Sequence, residues 1–187
     1  YQSQTAKILI DIKAINFDLN NHFTLTSGRK SPVYVDCRKI ISYPNERNQI
    51  LKFFEDYFIE NNIQFDCIAG GETAGIPYAA FLSERLNKPM IYIRKKPKGF
   101  GKNSQIEGVC KKNQKTILIE DLATDGASKV KFIEAMRESE IQINDTFVIF
   151  YYNVFKEIQL SKLGINIHYL CTWNDILNLV KKENILS

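Results

Sequence analysis

The sequence predicts an α/β fold: a central, mostly parallel sheet of about five strands flanked by helices, with a small N-terminal cap. Three observations carry this. Short apolar runs alternate with amphipathic segments of helical spacing through the middle and end of the chain. Runs such as Ile117-Leu118-Ile119 are continuously apolar and branched, the composition of parallel strands buried on both faces. No internal repeat and no low-complexity linker interrupts the alternation, so the 187 residues read as one domain.

Taken in order, Ile8, Leu9, Ile12 and Ile15 mark an amphipathic helix near the N-terminus. Two β-like pieces follow, around residues 23–25 and 33–35, and with that helix they make a cap over residues 1 to about 40. Pro44 and Asn45 open the next helix, where proline's missing N–H is no loss, and Ile50, Leu51, Phe54 and Phe58 fall on one stripe of it. A strand at 67–69 leads to a glycine turn at Gly70 and Gly71 and a helix over 76–86. Strands are expected at 90–93, 117–120, 147–151 and 165–169, with a helix over 127–138. Tyr151, Tyr152 and Phe155 read as packing between sheet and helix, and Trp173, after Thr172 at a helix start, as the anchor of the last helix. In such an open sheet ligands bind beyond the carboxyl ends of the strands, where Gly70, Gly71 and the pair Glu120–Asp121 fall.

Composition narrows the function. The chain is 44% hydrophobic and 25% charged, within the ordinary globular range. Its 25 Lys and Arg against 21 Asp and Glu give a formal charge of +4, which suits a small anionic ligand and is too mild to demand nucleic acid. Cys37, Cys67, Cys110 and Cys171 are scattered without metal-ligand or redox spacing, so reduced thiols in a cytoplasmic protein are expected. His22 and His168 are isolated, and no protein-held metal is expected. No apolar run approaches the ~20 residues that span a bilayer, and Gln2, Ser3 and Gln4 are not a signal-peptide core, so no membrane partner is expected. The chain opens on Tyr1 rather than Met, and residues are expected to precede it.

Residues 116–128, TILIEDLATDGAS, carry most of the chemistry. An apolar strand ends in two carboxylates and passes through a small-residue turn into a helix. At such a junction the first helical N–H groups lack intrahelical partners and favour an anion. Thr124 and Ser128 add hydroxyl donors, and Gly126 lets the backbone come close. Glu120 and Asp121 repel a phosphate but accept hydrogen bonds from a pair of sugar hydroxyls beside it. Phosphate plus vicinal diol describes a ribose 5-phosphate. By spacing alone, a solvated Asp-Gly turn after an acidic strand end also fits.

Residues 94–115 lack hydrophobic periodicity and are too long for a passive connector. Arg94, Lys95, Lys96, Lys98 and Lys102 crowd one arm, while Gly99, Gly101 and Gly108 free the backbone to fold over a ligand. The stretch reads as a mobile lid, with a solvated basic loop as the plain alternative. Cations delivered to a water-excluded site stabilise negative charge on a ligand there.

TILIEDLATDGAS resembles the signature of type I phosphoribosyltransferases, where two acidic residues hold the ribose 2- and 3-hydroxyls of phosphoribosyl pyrophosphate and the next turn holds its 5-phosphate. The resemblance implies the type I phosphoribosyltransferase fold. It puts Glu120 and Asp121 on the ribose, Leu122 beside them, and Ala123, Thr124, Asp125, Gly126, Ala127 and Ser128 at the phosphate. With FTLTSGRKSPVYVDCRK at 23–39 and the lid RKKPKGFGKN, most of the chain is similar to orotate phosphoribosyltransferases. In that family Arg94, Lys95 and Lys98 match lid residues that grip pyrophosphate, with Lys98 in the catalytic position. The lid usually closes over the neighbouring subunit's site, which implies a homodimer. AGGETAGIP at 69–77 matches the pyrophosphate-side loop, with Gly71, Glu72 and Thr73 as contacts, and Lys30 falls in the cap near orotate. The implied reaction is phosphoribosyl transfer to N1 of orotate, giving orotidine 5-monophosphate and pyrophosphate in de novo pyrimidine synthesis, with Mg2+ carried mainly by the pyrophosphate substrate.

The chain departs from the family pattern at Thr26 and Ala74, where Lys is frequent, and at Phe100, where His is common. Glu120–Asp121 replaces the usual Asp-Asp, and FYYNVFKE at 150–157 holds no match for the orotate-binding Arg. Lys30 and Lys102 are candidates to restore the lost charge. Arg38 after Asp36 reads first as a local ion pair and second as a ligand contact. Two rivals stay open: a phosphoribosyltransferase for another base, and a noncatalytic sensor of phosphoribosyl pyrophosphate that binds RNA, which a lid-borne basic cluster suits poorly.

Overall fold

The computed structural model describes residues 1–18, 20–25, 28, 30–97, 105–124, 126–153 and 159–183. Helix α1 (Gln2–Asp11) buries Thr5, Ala6, Ile8 and Leu9 and ends at Ile12. Ile15, expected on that helix, instead opens strand β1 (Ile15–Phe17). The chain turns at Lys13, whose positive φ of 54° breaks the helix. Strands β2 (Phe23–Thr24) and β3 (Lys30–Ser31) form one antiparallel ladder, and β1 with β4 (Val33–Val35) forms another. These short ladders and α1 are the cap. A 3-10 turn at Cys37–Ser42 leads into α2 (Pro44–Glu60), which has Pro44 in its first turn and buries Ile50, Leu51, Phe53, Phe54 and Phe58.

The remaining elements alternate as expected: β5 (Cys67–Gly71), α3 (Gly75–Leu86), β6 (Met90–Ile93), β7 (Ile106–Glu107), β8 (Lys115–Ala123), α4 (Ala127–Glu138), β9 (Gln142–Tyr151), α5 (Gln159–Lys162), β10 (Asn166–Thr172) and α6 (Trp173–Glu183). The central sheet has the order β10-β9-β8-β5-β6-β7. Its first five strands are mutually parallel and are the five predicted ones. The sixth, β7, pairs antiparallel with β6 through Tyr92 with Glu107 and Ile93 with Ile106. It comes from the segment 94–115 expected to be a lid, so part of that segment extends the sheet as an edge strand.

Side chains of β8 alternate between two cores. Ile117 and Ile119 join the apolar cluster under α1, α2, α3 and α6, and Leu118 joins the one under α4 and α5. At the start of α6, Asp175 Oδ2 accepts from the Thr172 N–H at 2.7 Å and from its hydroxyl at 2.6 Å. Trp173 packs on the core, 6.2 Å from the ring of Phe17. No helix among the described residues is long and apolar enough to cross a membrane.

Candidate active site

The two carboxylates lie near the carboxyl end of β8, with β5 and β9 pairing on either side of that strand. The strand runs past them to Ala123, so the turn starts later than the sequence suggests. Both side chains are buried: Glu120 is 6% exposed and Asp121 8%. Alternation sends them to opposite faces. Glu120 meets α4, where Lys129 Nζ lies 3.2 Å from its Oε2. Burial pushes the Glu120 carboxyl up to about 7, against the opposing pull of the Lys129 ammonium. Asp121 Oδ1 accepts the Leu122 N–H at 2.8 Å. Burial raises its carboxyl too, opposed by Lys129, that N–H and Arg38.

Gly70 and Gly71, expected in a turn, are the last residues of β5 and pair with Tyr92 and Ile93. What they supply is room. A Cβ on Gly71 would collide with Glu120 Oε1 and sit 2.6 Å from Phe132. Gly71→Ala therefore unseats Glu120, and we expect a loss of about 1–3 kcal/mol of stability in urea unfolding; an unchanged midpoint would contradict this packing. Gly126 has φ of +80° at the start of α4, and the neighbour its missing Cβ admits is Leu160 of α5, at 2.8 Å.

A cavity of about 730 Å³ opens over the carboxylates, a size suited to a nucleotide-scale ligand. Of the expected site residues, Glu120, Asp121, Leu122, Thr124, Glu72, Thr73 and Lys95 line it, as does Ala74. The loop 72–74 contains a cis Glu72–Thr73 peptide. Glu72 ties that loop to the end of β6 and the residues after it: its Oε2 accepts the Lys95 N–H at 2.6 Å, and its own N–H donates to the Ile93 carbonyl.

Other expected residues lie elsewhere. Ala123 is a buried strand residue whose carbonyl accepts the Tyr152 N–H at 3.0 Å. Ala127 and Ser128 open α4. Arg94 lies 3.7 Å from Glu107 on the edge hairpin and does not line the cavity. Lys30, offered as a substitute cation, donates to the Thr24 hydroxyl at 2.6 Å on the exposed β2–β3 ladder. Lys98, Asp125, Thr26, Phe100, Lys102 and Phe155 fall outside the described residues.

Several lining residues had no place in the sequence reading of the site: Lys129, Lys131, Tyr34 and Tyr152. For Lys129 a signal existed. It sits three, four and seven residues before Phe132, Ile133 and Met136, on the inward stripe of the helix. Tyr152, read as packing alone, does pack in the core, and it also lines the cavity; its hydroxyl accepts the Val35 N–H at 3.2 Å. Arg38 forms the local ion pair expected of it and also lines the cavity. Its Nε donates to Asp36 at 3.0 Å and its terminal nitrogen to the Tyr34 hydroxyl at 2.7 Å, while the side chain lines the cavity. Among the described residues no three His, Cys, Asp or Glu side chains gather as a metal cage.

No family model matches the chain. It is 49% identical over 177 residues to the orotate phosphoribosyltransferase of Cereibacter sphaeroides, covering 92% of this chain and 76% of that one. With the orotate phosphoribosyltransferase of Ruegeria sp. it shares 48% identity over 187 residues, 98% and 83% of the two chains. The solved orotate phosphoribosyltransferase from Aeropyrum pernix superposes with a TM-score of 0.80 at 28% identity, over 97% of this chain and 99% of that one. Identity of this extent, on a shared fold with the acidic pair at the central strand's end, establishes that the chain belongs to the orotate phosphoribosyltransferase family.

Proposed function

We infer that this protein transfers the phosphoribosyl group of 5-phosphoribosyl 1-pyrophosphate to N1 of orotate, forming orotidine 5-monophosphate and pyrophosphate in de novo pyrimidine (UMP) synthesis. The observation that carries this reading is the buried pair Glu120–Asp121 on the wall of a cavity that Arg38, Lys95, Lys96 and Lys131 also line. Two adjacent acceptors suit a diol, and the cations around them suit phosphates.

The bond from ribose C1 to pyrophosphate breaks with its electron pair leaving on oxygen, N1 of orotate forms the new bond at C1, and the N1 proton leaves to the released pyrophosphate or to water. The sugar passes through an oxocarbenium-like state, so orientation matters more than a protein nucleophile. Glu120 and Asp121 accept from the ribose hydroxyls and set carboxylate charge near the cationic ring. The turn from Thr124 through Asp125, Gly126, Ala127 and Ser128 takes the 5-phosphate on the first N–H groups of α4. Glu72, Thr73 and Ala74 face the pyrophosphate from the other wall. Lys95 and Lys98 neutralise it as it departs. Orotate, a flat anion, lies against Leu25, Tyr34 and Tyr152, with Arg38 rather than Lys30 as the partner of its carboxylate.

The stretch 94–115 is assigned the part of a lid. Arg94, held by Glu107 outside its own cavity, suits a lid that serves the neighbouring subunit of a homodimer. Mg2+ would enter with the substrate, held mainly by pyrophosphate oxygens and by water, since this ion gives up its water reluctantly. Bound in that way it offsets the charge of the pyrophosphate. We place the enzyme in the cytoplasm, with small molecules rather than nucleic acid as partners. The reverse reaction tests the reading: orotidine 5-monophosphate and pyrophosphate with Mg2+ should generate orotate, seen as its ultraviolet band, and a flat trace would count against it.

A further inference from the structure

Helix α4 presents Lys129, Phe132, Ile133 and Met136 on one stripe toward the sheet, and all four are buried. Three are the apolar residues such a stripe needs. The fourth is an ammonium on a side chain only 5% exposed, and lysine sits that deep when an opposite charge meets it. That charge is Glu120, its side chain 7% exposed and Oε2 at 3.2 Å. The other charges facing Glu120 are Asp121, next on β8, and Lys95, after β6. From β5 and α3 the neighbours of Oε1 are Gly71 and Gly75, which bring no charge, and Glu72 on the loop between them has one oxygen taken by the Lys95 N–H. Among the described residues Glu120 Oε1 is buried and accepts no hydrogen bond.

We propose that Lys129 is a positioning residue for phosphoribosyl transfer: by holding Oε2 it fixes Glu120 as a carboxylate on the cavity wall, with Oε1 left to accept a ribose hydroxyl. The proposal rests on the reading of Glu120 as a ribose ligand. A buried carboxyl without its cation takes up a proton, and the neutral group offers the diol a weaker, uncharged acceptor in place of a carboxylate. Lys129 thus acts through Glu120 and has no need to touch the substrate.

The test is calorimetric binding of phosphoribosyl pyrophosphate with Mg2+ between pH 5.5 and 9, with initial rates on orotate, for the unsubstituted protein, Lys129→Met, Lys129→Arg, Glu120→Gln and the Glu120→Gln/Lys129→Met double variant. The substrate's own phosphate titration is common to all of them. In the unsubstituted protein affinity falls on acidification as Glu120, at about 7, is protonated. In Lys129→Met that fall moves to higher pH by about one unit or more, weakening binding about fivefold or more at pH 7; Lys129→Arg restores the original profile. In Glu120→Gln this fall is absent, and adding Lys129→Met changes affinity by less than about threefold, since the path through Glu120 is already gone. An unmoved profile in Lys129→Met, or a further large loss in the double variant, would overturn the proposal. The double variant carries neither buried charge, so it keeps the question answerable if Lys129→Met alone fails to fold. No substrate binding and no orotate turnover in the unsubstituted protein would instead overturn the reading of the whole site.

Discussion

Asp121→Asn lowers kcat/KM for phosphoribosyl pyrophosphate by about 100- to 1,000-fold, the scale of removing one preorganised electrostatic contact to a charged transition state. The substitution keeps size and shape but replaces one acceptor oxygen with a donor and removes the charge. Asp121 is 8% exposed and lines the cavity, so it is well placed to reach a ligand with little competition from water. Burial already disfavours its charged form. The neutral amide therefore leaves thermal stability unchanged or raised, which separates a lost function from a lost fold. Initial rates and a melting curve on the same preparation check both halves. Activity within threefold of the unsubstituted protein would remove Asp121 from the ribose.

The second large effect belongs to the lid. Lys98→Ala lowers kcat by about 100- to 1,000-fold while weakening phosphoribosyl pyrophosphate binding less than about tenfold, because the charge it meets develops fully only as the pyrophosphate leaves. Single-turnover rates with a separate binding titration distinguish the two terms. Equal losses in both would make Lys98 a binding residue, and unchanged turnover would take it out of the mechanism.

The parts of this molecule legible in its sequence are those where one physical demand dominates. The five parallel strands each form a short apolar run because both faces are covered, and helix α2 declares itself through Pro44 and the stripe of Ile50, Leu51, Phe54 and Phe58. Strands β1, β3 and β7 have two or three residues each, too few to show alternation, and exist through their partners β4, β2 and β6. Gly70 and Gly71 read as a turn because glycine's usual signal is conformational, whereas at Gly71 the missing side chain makes space for Glu120. At the site, Glu120 and Asp121 stood out as an acidic pair after a buried strand. Lys129 did not, because a lysine on a helix is ordinarily solvated, and only the strand beneath shows why this one is not. Arg38 and Tyr34 reach the cavity through the fold of the cap, a juxtaposition that no spacing along the chain encodes.

The most direct measurement is the loss of orotate absorbance on mixing the protein with phosphoribosyl pyrophosphate and Mg2+, run beside uracil, hypoxanthine and adenine, with released pyrophosphate assayed in each. The account predicts loss with orotate alone, matched by an equal amount of pyrophosphate. Turnover of another base in preference to orotate, or none with any of the four despite bound phosphoribosyl pyrophosphate, would contradict it.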